Sequence, residues 1–459
     1  MKPKFLPLAM AACLLLASSC RKTEKSQDEN DFQKILETGE INVLTMSGSM
    51  SYFIYKGEER GYEYEILKSF ADSYGLKINI KLAENETKLA EMLDEKEGDL
   101  VAYNIPVTNE GKEHYLYCGQ EAVNEMVLVQ RSNRGDTILK DVTELIGKDV
   151  WSIDNSKYFN RIHNLNDEVG GGINIHTIEE DSITVEDLIE MVSKGQIPYT
   201  VSDADMAKLN RTYYRNIDIS LVVGHPQRSS WAVRKSNPAL AEAINIWFQE
   251  NISKPAYKQI NKRYFEMSKM PGDEPAPILG KGQISPFDAL FRKYARTVPV
   301  DWRLMASIAY QESKFHTNLV SWAGASGVMG LMPKTASSLG LSADSIFNPD
   351  DNIRIAAQLI RRLNKIFNSI DDEPERIKFI LAAYNAGSGH VADARALAEK
   401  YGSNPNNWAE VEEFLKLKSL PEYYSDPVCK SGYLRGTETL NYVRSVGERY
   451  AYYCGKVKE

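Results

Sequence analysis

Ile41 to Leu44, apolar except at Asn42, predict a strand. Ile66, Leu67, Phe70, Ala71 and Tyr74 then fall at helical spacing, and Gly75 is placed to stop the helix. Leu76, Ile78, Ile80 and Leu82 alternate with polar residues, the pattern of a half-buried strand. A short helix around Leu89, Met92 and Leu93 leads through Gly98 to a strand at Leu100, Val101 and Ala102. This βαβαβ order implies a parallel sheet, since parallel neighbours need a crossover between them. A similar alternation recurs from Val150 to Ile153 and through a helix carrying Val185, Leu188, Ile189 and Val192. Two such lobes in one chain predict a hinged cleft. At 269–284 the composition turns to Pro271, Gly272, Pro275, Pro277, Gly280 and Gly282, a linker. Beyond it, alternation gives way to helical periodicity. The expected fold class is multidomain: an α/β two-lobe domain at 39–268, the linker at 269–284, and an all-α domain at 285–459.

The N-terminal pattern is different in kind. Lys2 and Lys4 precede an apolar stretch from Phe5 to Ala17, too short to span a bilayer, which ends in Leu16, Ala17, Ser18, Ser19 and Cys20. That layout predicts a signal segment at 1–19. Small residues directly before a cysteine resemble the bacterial lipobox, which implies lipidation of Cys20; ordinary secretion with Cys20 as a bystander is the plainer reading, and Cys13 leaves a stunted apolar region. Residues 20–38 are polar and charged and are expected to tether lipid to the first domain. Arg21 after Cys20 does not resemble the inner-membrane retention signal, so the expected location is the outer membrane, lipid-anchored, facing the periplasm. Export implies an oxidising compartment, in which Cys429 and Cys454 are candidates to pair and Cys118 a buried free thiol.

The chain has 459 residues, enough for at least two cores. A net charge of -8 argues against nucleic acid as a partner, because phosphate backbones select clustered Lys and Arg. Six histidines show no metal-ligand spacing, and no metal or cofactor is expected.

Asp301 is placed to cap a helix whose one face carries Trp302, Met305, Ile308, Ala309 and Glu312. Burial disfavours a charged carboxylate, and a carboxyl group kept protonated can act as a general acid. On periodicity alone, a glutamate at the edge of the core paired with an arginine is the stronger reading. The neighbourhood changes that. Ser313 and Ser321 follow, then the run from Gly324 to Ala336 with Gly327, Met329, Gly330, Met332 and Pro333, and later Ala383, Tyr384, Asn385, Ala386 and Gly387. These motifs, in this order over about the last 175 residues, resemble the lysozyme-like lytic transglycosylases. The tail, with Tyr433, Arg435, Thr437, Glu438, Tyr442 and Val443, narrows the resemblance to the family of membrane-bound lytic transglycosylase F.

The resemblance implies a catalytic acid at Glu312 and substrate contacts at Ser313, Ser321, Met329, Tyr384, Asn385 and Tyr442. Read alone, Tyr384 is a core residue on the face of Ile377, Ile380 and Leu381, and Asn385 a helix terminator. Gly330 stands where many relatives have glutamine. Glycan strands of peptidoglycan are the implied substrate. Glycoside hydrolysis normally needs two carboxyl groups, and no Asp or Glu occurs from Ser313 through Ala343. One acid suffices if the sugar's own C6 hydroxyl attacks C1, giving a 1,6-anhydromuramyl end. The alternatives are a sensor lipoprotein with an impaired catalytic domain, and a muramidase drawing on Asp350 or Asp351.

Gly61 to Ile66, Gly98 to Leu100 and Trp231 to Leu240 resemble solute-binding proteins of the polar amino-acid type, over about residues 40 to 268. That family clamps a carboxylate with an arginine after a Thr-x-Glu step, whereas here Thr108, Asn109 and Glu110 lead to Gly111 and Lys112. The domain is therefore expected not to bind free amino acids in the usual way. It reads either as a docking module or as a sensor of another ligand, a muropeptide or cell-wall peptide.

Overall fold

The computed structural model describes residues 31–179, 183–269, 276–280 and 282–458. The signal segment, Cys20 and most of the tether lie outside the described residues.

The strands are β1 (Glu40–Met46), β2 (Phe53–Tyr55), β3 (Glu58–Arg60), β4 (Lys77–Ala83), β5 (Leu100–Pro106), β6 (Tyr115–Asn124), β7 (Met126–Arg131), β8 (Asp149–Ile153), β9 (Asn174–Ile178), β10 (Tyr199–Asp203), β11 (Ile217–Asp218) and β12 (Gln227–Arg234). The first lobe is a sheet of order β4-β1-β5-β12-β6, the second a sheet of order β11-β7-β10-β8-β9. The predicted βαβαβ unit is present: β1 pairs in parallel with both β4 and β5, with Ile41 opposite Ile78 and Val43 opposite Leu100. Ile41, Val43 and Leu44 are fully buried, as a parallel strand covered on both faces requires. The chain passes between lobes twice, from β6 to β7 and from β11 to β12. Two narrow crossings let the lobes rotate about a hinge.

The helical part follows. Its main helices are Asp288–Ala295, Trp302–Ser313, Pro349–Ile366, Glu373–Ala386, Ser388–Lys400, Trp408–Leu417 and Gly436–Lys456. They enclose one apolar core that includes Met305, Ile308, Ile353, Ile360, Phe379, Val411 and Val446. Asp301 caps Trp302–Ser313 as expected, its side chain accepting from Arg303 N at 2.7 Å. No helix among the described residues is long and apolar enough to cross a membrane.

Two expectations are corrected. Residues 31–38, read as tether, form the helix Asp31–Thr38. Phe32, Ile35 and Leu36 share a face, and Ile35 is buried in the first lobe's apolar cluster, so these residues belong to the fold. Cys429 and Cys454 are unpaired thiols, like Cys118. Cys429 faces the Tyr423 carbonyl at 3.2 Å, while Cys454 bonds Tyr450 on the last helix, so the two lie in separate neighbourhoods.

The two parts share an apolar contact. Trp322 and Ala323, from the helical part, sit in the first lobe's own apolar cluster and are 3% and 2% exposed. Tyr55 and Tyr264 pack against the Trp322 ring at 5.2 and 5.9 Å.

Candidate active site

Glu312 lies in the last turn of Trp302–Ser313, and Lys314 stops the helix in a left-handed conformation. Its Oε1 accepts a hydrogen bond from the Tyr442 hydroxyl at 2.9 Å. Its other partner comes from the α/β part. Lys56 Nζ stands 3.2 and 3.1 Å from the two carboxylate oxygens. The pair is nearly buried, at 7% and 10% side-chain exposure. The arginine partner suggested by periodicity is thus a lysine, delivered from 256 positions away.

Lys56 occupies the tip of a hairpin. Strands β2 and β3 pair antiparallel, and Lys56 and Gly57 form the turn with φ of 49° and 78°. Positive φ at both positions is the two-residue turn that matches strand twist. A lysine in this conformation carries strain that its surroundings must overcome. They do so at several points. Lys56 N donates to Ala386 O at 3.1 Å, a His390 ring nitrogen lies 2.9 Å from Ile54 O, and Arg60 donates to Ala323 O at 2.8 Å. Gly387 abuts the turn so closely that a Cβ there would lie 3.2 Å from Gly57 N.

The hairpin divides the space around Glu312. On one side a cavity of about 620 Å³ is lined by Glu312, Ser321, Asn385, Glu438, Tyr442 and Lys56. On the other, a cavity of about 380 Å³ is lined by Gly330, Met332, Tyr384, Gly387, His390 and Lys56.

The glycine-rich run holds the wall. Gly324, Gly327 and Gly330 all have positive φ. At Gly330 a Cβ would stand 2.2 Å from Glu312 Oε2, so the carboxylate itself fills the space a larger residue would need. Asn352, fully buried, pins the loop by accepting from Met329 N and donating to Ser326 O and Ile346 O.

The predicted contact residues divide. Tyr442 touches Glu312, and Ser321 and Asn385 line the larger cavity, with Ser321 accepting from Ala325 N and Asn385 from Thr439. Tyr384 lines the smaller one, its hydroxyl donating to Met329 O at 2.7 Å. Met329 meets the site only through that carbonyl; its side chain is in the core. Ser313 is 1% exposed and donates to Val328 O at 2.7 Å, so its hydroxyl is spent on fastening the helix end to the loop. Asp350 bonds Lys293 and Tyr294, and Asp351 bonds Arg354; neither lines the cavity that holds Glu312. The expectation that no second carboxyl group lies near Glu312 is corrected by Glu438 and Glu190, which line the same cavity.

Sequence reasoning missed Lys56, His390 and Glu438. The signal for Glu438 was its spacing of four from Tyr442, which puts both on one helix face. The hairpin had a signal in Phe53 to Tyr55 and Glu58 to Arg60 flanking a turn with glycine. His390 stands near the Tyr384 to Gly387 motif, where a surface role is the plainer reading; it is instead a buried ring that desolvation brings down to about 3. Among the described residues no group of three or more His, Cys, Asp or Glu could hold a metal.

Comparison with known proteins bears on both parts. Residues 41–267 match the model of the bacterial extracellular solute-binding proteins, family 3, and residues 289–407 that of the transglycosylase SLT domain. A membrane-bound lytic murein transglycosylase F of Desulfosudis oleivorans is 31% identical over 420 residues, covering 90% of this chain and 89% of the relative. The chain belongs to this family. A protein of the same name from Pseudomonas fluorescens Pf0-1 is 29% identical over 98% of this chain and 91% of its own length. Solved structures similar over about half the chain include the unliganded L-cystine solute receptor of Neisseria gonorrhoeae (16% identity, 52% of this chain and 97% of that one, TM-score 0.42) and holo ArgBP from T. maritima (21%, 50% and 98%, 0.38). The chain is therefore a lytic murein transglycosylase, a lyase acting on peptidoglycan, with a solute-binding-like domain joined to its catalytic one.

Proposed function

We propose that Glu312 is the single acid and base of a non-hydrolytic cleavage, and that the solute-binding-like domain controls access to it. The observation that carries the reading is the seated hairpin: one residue, Lys56, meets both oxygens of the candidate acid and stands between the two halves of the cleft.

In the open enzyme a glycan strand occupies the cleft. Protonated Glu312 gives its proton to the oxygen between N-acetylmuramic acid and N-acetylglucosamine, and the C1–O bond breaks. The acetamido group stabilises the developing positive charge. Glu312, now a carboxylate, takes the proton of the C6 hydroxyl, whose oxygen bonds C1. The products are a 1,6-anhydromuramyl end and a free N-acetylglucosamine end, with no water added. Tyr442 holds Glu312 in place. Ser321 and Asn385 face the sugar on one side of the bond and Tyr384 on the other. A preset site of this kind lowers the barrier by fixing the reacting groups in advance.

In the seated state this chemistry is blocked twice. The cleft is filled, and Lys56 occupies both oxygens of Glu312, so neither can face a glycosidic oxygen. The control reading adds a ligand in the two-lobe domain, of which a muropeptide or cell-wall peptide is the candidate. At the amino-acid clamp position a side chain on Gly111 would meet the Tyr117 hydroxyl at 2.0 Å, so the arginine's place is already filled. Lobe rotation has a lever on the hairpin. Glu186 in the second lobe accepts from Ser49 of the first lobe, and from Tyr433 of the catalytic domain at 2.5 Å. The hairpin begins four residues after Ser49. Movement of the lobes breaks this junction and loosens the hairpin's base.

Lipidation of Cys20, anchoring in the outer membrane and a periplasmic active site complete the proposal. They rest on the N-terminal sequence; the relatives' names support membrane association.

Mass spectrometry of murein digested by the protein from Lys22 onward, beside its Glu312→Gln variant, tests the chemistry. Fragments one water lighter than hydrolysed muropeptides, formed only with Glu312 present, are expected. Ordinary reducing ends would replace this reading with a muramidase.

A further inference from the structure

The long helix Gly436–Lys456 serves two cavities. Glu438, Asn441, Tyr442 and Ser445 turn toward the one that holds Glu312. Leu440, Val443, Arg444 and Gly447 fall at i, i+3, i+4 and i+7, which puts them on another face. On that face lies a groove of about 620 Å³, bounded by Glu373–Ala386 and Trp408–Leu417. Ile377, Leu381, Trp408 and Val443 give it an apolar floor. A concave apolar space of this size is that of a ligand site, and the reaction proposed above makes no use of it.

Arg444 lines both cavities. It is exposed, and it has no hydrogen-bond or ion-pair partner among the described residues. The rim of the groove carries charges of both signs. Glu373 and Glu412 have no ion-pair partner among the described residues, while Lys378 bonds Glu375 at 2.5 Å. The Tyr450 hydroxyl is engaged with Asp301 at 3.3 Å. The floor thus presents no free side-chain hydroxyl or amide, and a sugar ring would find few partners on it. An apolar floor with an unpaired cation and unpaired carboxylates at its rim fits an amphoteric peptide with small apolar side chains.

Gly447 supplies an independent sign. Glycine inside a helix is destabilising relative to alanine. Gly447 does not have the positive φ that would require it, and a Cβ there would meet nothing within 4 Å. Neither backbone nor crowding calls for glycine at this position. Its bareness leaves the groove open, a local rule broken where an occupant needs the room.

Murein itself carries such an occupant. Each N-acetylmuramic acid bears a short stem peptide with alanine methyls, free carboxylates and an amine. About four residues span about 13 Å when extended, and a helix with its side chains is about 10–12 Å across. A stem whose sugar lies in the catalytic cavity is long enough to cross the helix at Arg444 and enter the groove.

We propose that this groove is a stem-peptide subsite: the stem of a muramic acid bound beside Glu312 crosses Gly436–Lys456, gives a carboxylate to Arg444 and lays its apolar side chains on Ile377, Leu381 and Trp408. Gly447 leaves the room, and Glu412 faces the amine. The contacts add binding for strands that carry peptides and leave the bond-breaking step unchanged. The inference rests on the reading of Glu312 as the acid, which places the sugar in its cavity.

The test compares two substrates, soluble murein strands with their stems and the same strands stripped by an amidase that cuts the lactyl–alanine bond. The protein is the full chain carrying Lys56→Ala, alone and with Arg444→Gln or Gly447→Leu. On strands with stems, each added substitution is expected to raise KM about tenfold with kcat within about twofold, the mark of lost uniform binding. On stripped strands both are expected to change kcat/KM less than about twofold. Gly447→Leu fills the groove without lowering the thermal midpoint, since leucine is favoured over glycine in a helix. Equal losses on both substrates would make the groove a part of the glycan path and overturn the inference, and so would unchanged kinetics on strands with stems. Absence of cleavage of either substrate by the Lys56→Ala protein would overturn the proposed function and this inference with it.

Discussion

Tyr442 places the acid through a single hydrogen bond, so the hydroxyl can be removed with little change of shape. A hydrogen bond to a charged group contributes about 1.5–3 kcal/mol, which predicts a loss of about ten- to a hundredfold in kcat for Tyr442→Phe. The measurement is turnover in the Lys56→Ala protein, with KM within about twofold. Gly330 makes a different demand, of room and of backbone. Alanine there would meet Glu312 Oε2 at 2.2 Å and would hold a φ of +58°. Gly330→Ala is expected to cost about 1–2 kcal/mol of stability and to push Glu312 off Lys56, read by thermal unfolding and by a rise in turnover of the otherwise unmodified chain. At this scale the sequence was legible where a residue's role follows from its own helix. Asp301 and Glu312 are such residues, because cap and face are local properties. Ser313 and Met329 were less legible, since their polar groups are consumed by Val328, Asn352 and Tyr384, partners that only the folded loop brings near.

The element that decides the state of the enzyme is the β2–β3 hairpin. His390 reports on its seating. Burial, with Lys418 adding to it, holds the ring at about 3 against an ordinary 6.5, while Asp393 and the Ile54 carbonyl pull the other way. The ring is neutral while the hairpin is seated. In the opened cleft it gains solvent and takes up a proton near its ordinary value. Seating is therefore favoured fully above about pH 6.5 and is weakened as pH falls toward 3, by up to about tenfold per unit. The ratio of full-chain to Lys56→Ala turnover is expected to rise about tenfold between pH 7 and pH 5.5, and His390→Gln is expected to flatten it. A ratio independent of pH in both proteins would remove His390 from the latch. Strands and helices with sustained periodicity were readable in the sequence, from Ile41 to Ala102 above all. The hairpin carried only the faint signal of two short runs around a glycine, because strands of three residues give too short a pattern to separate from loop.

At the scale of the molecule, the solute-binding-like domain and the catalytic domain share apolar and charged contacts, and a hydrophobic interface resists free relative motion. Trp322 is buried in the first lobe's cluster, and Arg435 and Tyr433 meet Glu186. Glu186→Gln weakens the junction and is expected to raise turnover of the full chain several-fold while lowering its thermal midpoint, since Tyr433 and Arg435 lose a charged partner. The two-domain architecture followed from the switch of period at the linker. How the domains meet did not, because Lys56 and Glu312 find each other across 256 positions and no periodicity spans that distance. The account stands on a cleft closed by its own hairpin, and one comparison tests it: release of 1,6-anhydromuropeptides from murein at neutral pH by the full chain and by its Lys56→Ala variant. A rate at least about tenfold higher for the variant is predicted, as loss of one partner from a nearly buried ion pair is worth several kcal/mol. Equal rates would contradict it and would leave Lys56 a bystander beside an enzyme already open.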